Sequence, residues 1–579
     1  MFICKISDKN QDLSCRENDV YKTLLSNQFS IFFKQNATSF EYEIESDFIL
    51  LKIGRICNCN DLLEKFPGKD NNFLNECQKI IALKKTLGYE LNAKLRGDFI
   101  VVIIHRHSLE VEIIRAPLSS KKIFYFIEGN SLLISPDMQL LRKYSKKIFD
   151  IDKDKVIDSI SRNYALSEQT FYHGISQLES AQAILWSPKN GIKKRIFWEA
   201  KYHPIERHKN DYSEELFQHL SRAIITLADL DKKFFCLLSG GLDSSPIVGI
   251  LAQRNFNIEA FSDYSDRKYS KETGCSNRKT NSKLLSDFEK MYPHILFHRF
   301  NTAETDKKFS DITRFCFENS DGPCHSPTNQ LWILPAYEMA YQRGFKKIFC
   351  GAMGNLAFSF NAKTYPKKNI NFYLKKINRI NKNSLKNFLK IGHEKDSPIN
   401  LLNSEIIFGV EKAEIIQIES EINQEEKIEK LINFYRRSYG GSSGILNSFL
   451  CHFNIDTLDP TANLDLIEYA LTIPIDEFEN RNVTRNAIKK VVPDSIRENQ
   501  YSGVQAPYWY VPLKKELKSY LSLIEKFKKN QLIAEVVNLE LLKSLLLQVN
   551  DLPVYQLGVR HKINLTHCLH VCEWISLHD

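Results

Sequence analysis

The segment Phe234-Phe-Cys-Leu-Leu-Ser-Gly-Gly-Leu-Asp-Ser-Ser245 constrains the fold of this chain more than any other stretch. An apolar run leads into two glycines, and a helix-compatible run begins directly after them. Strand, tight loop and helix in that order open a βα unit, which calls for a parallel sheet with helices on its faces. Glycines let the backbone turn sharply and approach an anion. The helix start adds free N–H groups and a positive dipole end. Ser239, Ser244 and Ser245 add hydroxyl donors, so a loop of this composition is expected to hold phosphates. Asp243 would repel them unless a bridging Mg²⁺ sits between its carboxylate and the phosphate oxygens. The other common phosphate loop requires G-x-x-x-x-G-K-[ST], and this loop has no lysine.

The flanking pattern agrees with a doubly wound sheet. Helix 213–228 precedes strand Phe234–Leu238, and helix Ser245–Gln253 precedes strand Ile258–Ser262. Helix 280–291 leads to strand Ile295–Phe300, and helix 329–343 to strand Lys347–Cys350. Residues 361–440, rich in Lys and Asn, are expected to form a helical elaboration, and 441–579 return to helices. The first 200 residues read differently. Phe99–Ile104, Glu110–Ile114, Ile123–Phe126 and Ser131–Ser135 are short β-branched or aromatic runs between polar turns, as in stacked antiparallel sheets. A helix near 153–163 and a strand at Ala181–Trp186 follow, and 200–212 read as a polar linker. The fold class is therefore α/β, with a first domain at 1–205 and a parallel-sheet domain at 206–579.

A length of 579 residues calls for about two to four domains. The net charge of +9 is far too dilute for a dedicated nucleic-acid binder. No stretch is apolar enough to insert in a membrane, and the N-terminus turns polar too soon for a secretory segment. A cytoplasmic location is expected. The thirteen cysteines are scattered, many in apolar runs such as those around Cys236, Cys350 and Cys451, as suits reduced thiols packed as small hydrophobes. Cys57-Asn-Cys59 has no second pair at zinc spacing. His567-Cys-Leu-His-Val-Cys572 also lacks a zinc spacing and reads as a C-terminal core helix.

The loop Ser239, Gly240, Gly241, Leu242, Asp243, Ser244, Ser245 resembles the ATP-pyrophosphatase loop of the asparagine synthetase superfamily. Leu95-Arg-Gly-Asp-Phe99 and the stretch from Thr170 to Trp198 resemble that superfamily's N-terminal glutaminase-like (Ntn-type) domain. Four further stretches resemble lasso peptide cyclases in particular. These are Asp321-Gly-Pro323 with Asn329-Gln-Leu-Trp332, Gly351-Ala-Met-Gly-Asn355, Asp459-Pro-Thr-Ala462 with the helix after it, and Gly503-Val-Gln-Ala506 with Trp509.

The resemblance implies that ATP and Mg²⁺ are bound and that an Asp or Glu side chain of a precursor peptide is adenylated. The peptide's N-terminal amine then closes a macrolactam threaded by its own tail. Asp243 and Asn355 are the implied metal ligands and catalytic groups, with Arg485 or Arg497 as the phosphate-facing cation. Leu238, Phe261, Ser262, Gly351 and Gly354 join the loop in the nucleotide-binding set. Asp321, Asn329, Trp332, Asp459, Thr461 and Gln505 are the implied substrate contacts. A leader peptidase, a leader-recognition protein and an exporter complex are the implied partners.

The chain departs from the superfamily pattern in several places. Glutaminases of this kind need an N-terminal cysteine, and position 2 is Phe2, so a degenerate first domain without glutamine hydrolysis is expected. Asn355 stands where an aspartate is usual, Ala352 where β-lactam synthetases carry a tyrosine, and Asn463 where the cyclases have an aspartate. Asn499-Gln-Tyr-Ser502 replaces the usual basic residues. Another amide-forming synthetase, of β-lactam or asparagine type, and a noncatalytic nucleotide-binding scaffold subunit are the competing readings. An RNA-modifying enzyme would require a basic RNA-binding face.

Overall fold

The computed structural model describes residues 2–7, 21–25, 28–34, 39–66, 75–162, 167–228, 232–264, 281–362, 401–403, 406, 424–438, 443–500, 505–558 and 560–579. The first part holds β1 (Phe2–Ser7), β2 (Tyr21–Leu25), β3 (Phe29–Lys34), β4 (Phe40–Ile44), β5 (Phe48–Ile56) and β6 (Gly97–His105). It continues with β7 (Val111–Arg115), β8 (Phe124–Glu128), β9 (Ser131–Ser135), β10 (Ser176–Gln177), β11 (Gln182–Ser187) and β12 (Gly191–Ile196). They form two antiparallel sheets, in the orders β10-β8-β9-β1-β3-β2 and β12-β11-β7-β6-β5-β4.

β6 shows why an uninterrupted apolar run was needed here. Side chains alternate across a strand, and both faces of β6 are covered. Ile100, Val102 and Ile104 point into the core between the sheets. Phe99, Val101 and Ile103 point the other way, onto the helices Cys59–Lys65 and Glu76–Leu87. The other sheet, which holds β1, β3 and β9, is likewise covered on its far side. Ile3, Phe32 and Leu133 join a core shared with Trp332, Phe449 and Trp574 of the later part of the chain. The two halves thus pack on one another through apolar surface as well as polar contacts.

The second part is built on β13 (Lys233–Leu237), β14 (Asn257–Asp263), β15 (Leu296–Phe300), β16 (Lys347–Phe349) and β17 (Asp456–Leu458). They form one sheet in the order β15-β14-β13-β16-β17, and every neighbouring pair is parallel. Phe234 and Cys236 of β13 enter one core and Phe235 the other. The chain winds outward from β13 through β14 to β15, then returns to the other side of β13. That reversal puts the loops after β13 and β16 side by side at the carboxyl ends of the strands, the place where open α/β sheets bind ligands.

The mixed α/β reading holds, antiparallel sheets first and a parallel sheet later. The polar stretch 200–212 is not a free linker. His203 N–H and Ile205 N–H donate to the Leu471 and Thr472 carbonyls, and a helix already starts at Lys209. Polar side chains signalled a loop there, while the backbone satisfies itself against a distant segment. Most of the 361–440 elaboration lies outside the described residues, which include the helix Gln424–Ser438. Among the described residues the cysteines are free thiols, and no helix is long and apolar enough to cross a membrane.

Candidate active site

The glycine loop leaves the central strand β13. Leu238 N–H extends the ladder by donating to Phe261 O at 2.9 Å, and Gly240 then takes φ +76°, a turn that glycine makes without a Cβ clash. Ser239 braces the turn. Its N–H donates to Ser244 Oγ at 3.0 Å, the two hydroxyls lie 2.9 Å apart, and Gly241 N–H donates to Ser239 Oγ at 3.3 Å. Helix Ser244–Gln253 starts directly afterwards, with Asp243 at its N-cap and no side-chain cap bond. The Asp243 carboxylate is thus not used up in capping, the role an aspartate at this position commonly takes.

Two neighbouring loops close around Asp243. A Cβ on Gly351 would stand 3.0 Å from the Asp243 carbonyl, and one on Gly354 would land on Asp243 Oδ1. Only glycine allows the 351–355 loop to lie this close. Asp459, after β17, holds that loop by accepting from Met353 N–H at 2.9 Å. It also accepts from Thr461 N–H at 3.0 Å and Thr461 Oγ at 2.5 Å. Thr461 is fully buried, so its hydroxyl orients Asp459.

Asn355 Oδ1 accepts from Ser359 Oγ and from Arg481 Nη2, both at 3.3 Å. Arg481 Nε donates to Ser359 O at 2.9 Å. Arg481 itself sits at φ +60°, directly after Asn480 at +54°. Two successive non-glycine residues in the left-handed region cost free energy, and here they aim a guanidinium at the loop.

These contacts set the charge of the site. Burial pushes the Asp243 carboxyl up to about 6, the Ser359 hydroxyl and the Arg481 guanidinium pull it back, and Asp459 raises it further. Asp243 Oδ1 is enclosed without a hydrogen-bond partner among the described residues, and so is Ser245 Oγ. A buried carboxylate oxygen without a donor is costly and suits a cation. The residues therefore fit Mg²⁺ at Asp243 and phosphate oxygens along the loop. The Asn355 carbonyl oxygen already serves two donors, which leaves Asp243 as the group best fitted to the ion.

Beside the loop, on the β14 side, Ser262 Oγ and Asp263 Oδ2 are enclosed without hydrogen-bond partners among the described residues. Burial raises Asp263 to about 6, against the Thr302 side-chain and backbone donors and Lys562. Phe261 is buried at the end of the same strand. Asp263, Thr302, Ser359 and Arg481 carry no motif. An acidic residue ending a strand next to the glycine loop was the one signal that would have found Asp263; nothing in the sequence marks Arg481.

The remaining expected residues spread out. Arg485 donates to the Asn480, Arg497 and Asn499 carbonyls and so ties down backbone. Arg497 pairs with Asp494 and Glu498. Asp321 takes its ion pair from Lys122 at 2.7 Å and borders a cavity of about 80 Å³ between the two halves, to which no residue of the 239–245 loop contributes. Asn329 Nδ2 donates to Gln505 Oε1 at 2.7 Å, so these two do meet. Neither Asp321 nor Asn329 caps helix Pro327–Gln342, whose N-cap is Ser326. Trp332 lies buried on that helix with Nε1 unpartnered. Gly503 lies outside the described residues. Asn463 caps the helix Leu464–Ala470. Glu468 on that helix accepts from Arg96 and Trp198 of the first half.

A glutamine amidotransferase domain family matches residues 35–198. The putative glutamine-hydrolysing asparagine synthetase 2 of Methanocaldococcus jannaschii is 27% identical over 212 residues, 36% of this chain and 41% of that protein. Glutamine-hydrolysing asparagine synthetase 1 of Bacillus subtilis is 23% identical over 268 residues, 44% of this chain and 42% of that protein. Amidase chry2 of Gibberella zeae is 22% identical over 184 residues, 31% of this chain and 26% of that protein. The chain thus matches less than half the length of each of these relatives. Among solved structures, the glutamine phosphoribosylpyrophosphate amidotransferase of B. subtilis aligns with 46% of this chain and 61% of that one, at 10% identity and a TM-score of 0.22, too remote to bear on the site. The domain match and the synthetase relatives support an asparagine synthetase-like superfamily.

Proposed function

We propose that this chain is an ATP-dependent, AMP-forming amide ligase that closes a macrolactam in a precursor peptide, joining an Asp or Glu side chain to the peptide's N-terminal amine, as lasso peptide cyclases do. The observation that carries the ligase reading is the Asp243 carboxylate, with one oxygen enclosed and unpartnered, at the meeting of three loops on the carboxyl edge of a parallel sheet. Bound at Asp243, Mg²⁺ would hold pyrophosphate as the leaving group. The chain's own residues orient the loop through Ser239 and Ser244, hold the 351–355 loop through Asp459, and bring positive charge through Arg481. The attacking α-amine needs no strong base, since roughly a tenth of it is neutral at pH 7; positioning is the larger requirement.

Phe2 favours a peptide amine over ammonia from glutamine as the nucleophile. It is buried in β1 between β3 and β9, and its carbonyl accepts from Ser135 Oγ. A leader peptidase and a leader-recognition protein are the partners this reading calls for.

The test is mass spectrometry of a candidate precursor with MgATP, the leader peptidase and this protein, with AMP and glutamate quantified in the same tube. Loss of one water from the trimmed peptide with matching AMP is expected, without glutamate release from added glutamine. AMP without a peptide mass change would move the reading to a small-molecule ligase. Neither signal, with a confirmed cognate precursor, would favour a scaffold subunit.

A further inference from the structure

A second cluster of chemically capable side chains lies away from the glycine loop. Cys316 on helix Phe309–Asn319, Cys324 in the connection that follows it, and His570 on the C-terminal helix Thr566–Ser576 meet in the core. Their ligand atoms all lie within 4.8 Å of one another, and all three residues are buried. We propose that Cys316, Cys324 and His570 bind a divalent, thiolate-preferring metal ion, zinc in the first instance, which ties the C-terminal helix to the 309–326 segment.

The hydrogen bonds fix which imidazole nitrogen faces the sulfurs. The Cys324 amide donates to His570 Nε2 at 2.9 Å, and Cys324 Sγ lies 3.4 Å from the same atom. An amide only donates, so Nε2 carries a lone pair and the proton is on Nδ1. Nδ1 lies 2.8 Å from Thr313 Oγ, which in turn donates to Glu573 Oε2 at 2.8 Å. A histidine held through its outer nitrogen by a chain ending on a carboxylate is the second-shell arrangement of metal-ligating imidazoles.

Charge selects the ion. Two thiols and an imidazole are ligands for a soft or borderline metal and poor ones for Mg²⁺. Binding releases one proton from each thiol and forms two metal–sulfur bonds and one metal–nitrogen bond. With a dication the resulting cluster is neutral, as a buried site requires, whereas a monovalent ion would leave net negative charge in the core. The ion takes the Nε2 lone pair now held by the Cys324 amide, whose hydrogen bond passes to the thiolate sulfur. Cys324, with His325 and His567, also lines the 80 Å³ cavity, which has room for a water as fourth ligand. The sequence hid this site because its ligands are separated by unrelated intervals, and of the His567–Cys572 run only His570 takes part.

The test is a Co²⁺ titration of the full-length, reduced, metal-stripped protein. One equivalent is expected to produce thiolate-to-cobalt charge transfer in the near ultraviolet and intense visible bands of a tetrahedral site. Zn²⁺ should displace it and bleach the bands without further proton release, whereas Zn²⁺ added to the metal-free protein should release two protons per ion and raise the thermal midpoint by several degrees. C324S and H570Q should lose the bands, while D243A should keep them, which separates this site from the glycine loop. Absence of charge transfer in the folded wild-type protein would overturn the proposal, and that measurement stands even where a variant fails to fold. Bands that persist in a folded C316S/C324S variant would overturn it too, by placing the cobalt on other thiols.

Discussion

Asp98 and Asp243 are both aspartates largely withdrawn from water, one in the antiparallel half and one in the parallel half, yet they are opposites electrostatically. Burial pushes Asp98 up, but Lys121 together with the Ser119 and Ser120 hydroxyls outweighs it and holds the carboxyl below its usual range. Lys121 also pairs with Asp456 at 2.9 Å, across to the start of β17, and Asp456 accepts from Ser39 Oγ. Each charge in that network has a partner, and the network joins the two halves. At Asp243 burial outweighs what the Ser359 hydroxyl and the Arg481 guanidinium offset, and the carboxyl is pushed up instead. Two buried aspartates thus differ in their surroundings: one is satisfied within a network that joins the halves, and the other keeps an oxygen without a hydrogen-bond partner among the described residues, as the proposed metal site requires.

The sharpest way to break this contrast is to remove the Asp243 carboxylate and, separately, the Lys121 cation that compensates Asp98. Asp243→Ala should reduce Mg²⁺-dependent AMP formation by about 10³-fold or more with the circular dichroism spectrum unchanged; residual turnover near that of the wild type would end the assignment. Lys121→Ala should act on the fold instead. It leaves Asp98 and Asp456 without their cation, which costs about 3–5 kcal/mol, read as a lowered urea midpoint. A variant as stable as the parent would mean that the network is not what joins the halves.

Arg481→Ala is expected to lower AMP formation by roughly 10-fold to 100-fold while changing stability by no more than about 1 kcal/mol. Arg485→Ala should show the reverse balance, since its guanidinium holds three backbone carbonyls. Steady-state rates and denaturant midpoints of the two variants distinguish these roles.

The smallest effect is a pH dependence. A carboxyl whose folded value is raised binds protons more readily in the folded state, so folding stability falls as pH rises from the unfolded value near 3.8 to about 6. Without ligand, Asp243→Asn should therefore melt slightly higher than the wild type at pH 7 and converge with it at pH 4. Asp98 has the opposite sign. Its contribution is present above the unfolded value and is lost as pH falls through the lowered folded one. Thermal melts of the ligand-free protein check Asp243 across pH 4–8 and Asp98 below pH 4.

Much of the fold was legible because local chemistry dictates it. β13, the glycine turn and the following helix form where the run Phe234–Gln253 says they should, since the apolar strand, the left-handed turn at Gly240 and the free helix start are local demands. The same holds for β6 and β14. Of the stretch 200–212 read as a linker, residues 209–212 already belong to a helix, and the irregular part before them is held by Leu471 and Thr472, partners too far away in sequence to be read from it. Arg481 was passed over because its role depends on a left-handed backbone and on contacts with Ser359 and Asn355, more than a hundred residues distant. Arg485 and Arg497 look equally suitable in the sequence, and only the structure separates them, the first on three backbone carbonyls and the second on the Asp494 and Glu498 carboxylates.

What the sequence determined by itself is the glycine loop between a strand and a helix, the presence of two differently built halves, and the place of Asp243 as an acidic group in that loop. Tertiary structure alone decided that the loops after β13, β16 and β17 converge, that Gly351 and Gly354 close on Asp243, and that Cys316, Cys324 and His570 meet. Strand order, and with it the reversal beside β13, is set by which faces bury against which; that is a property of the whole packed chain, and no short run of residues carries it.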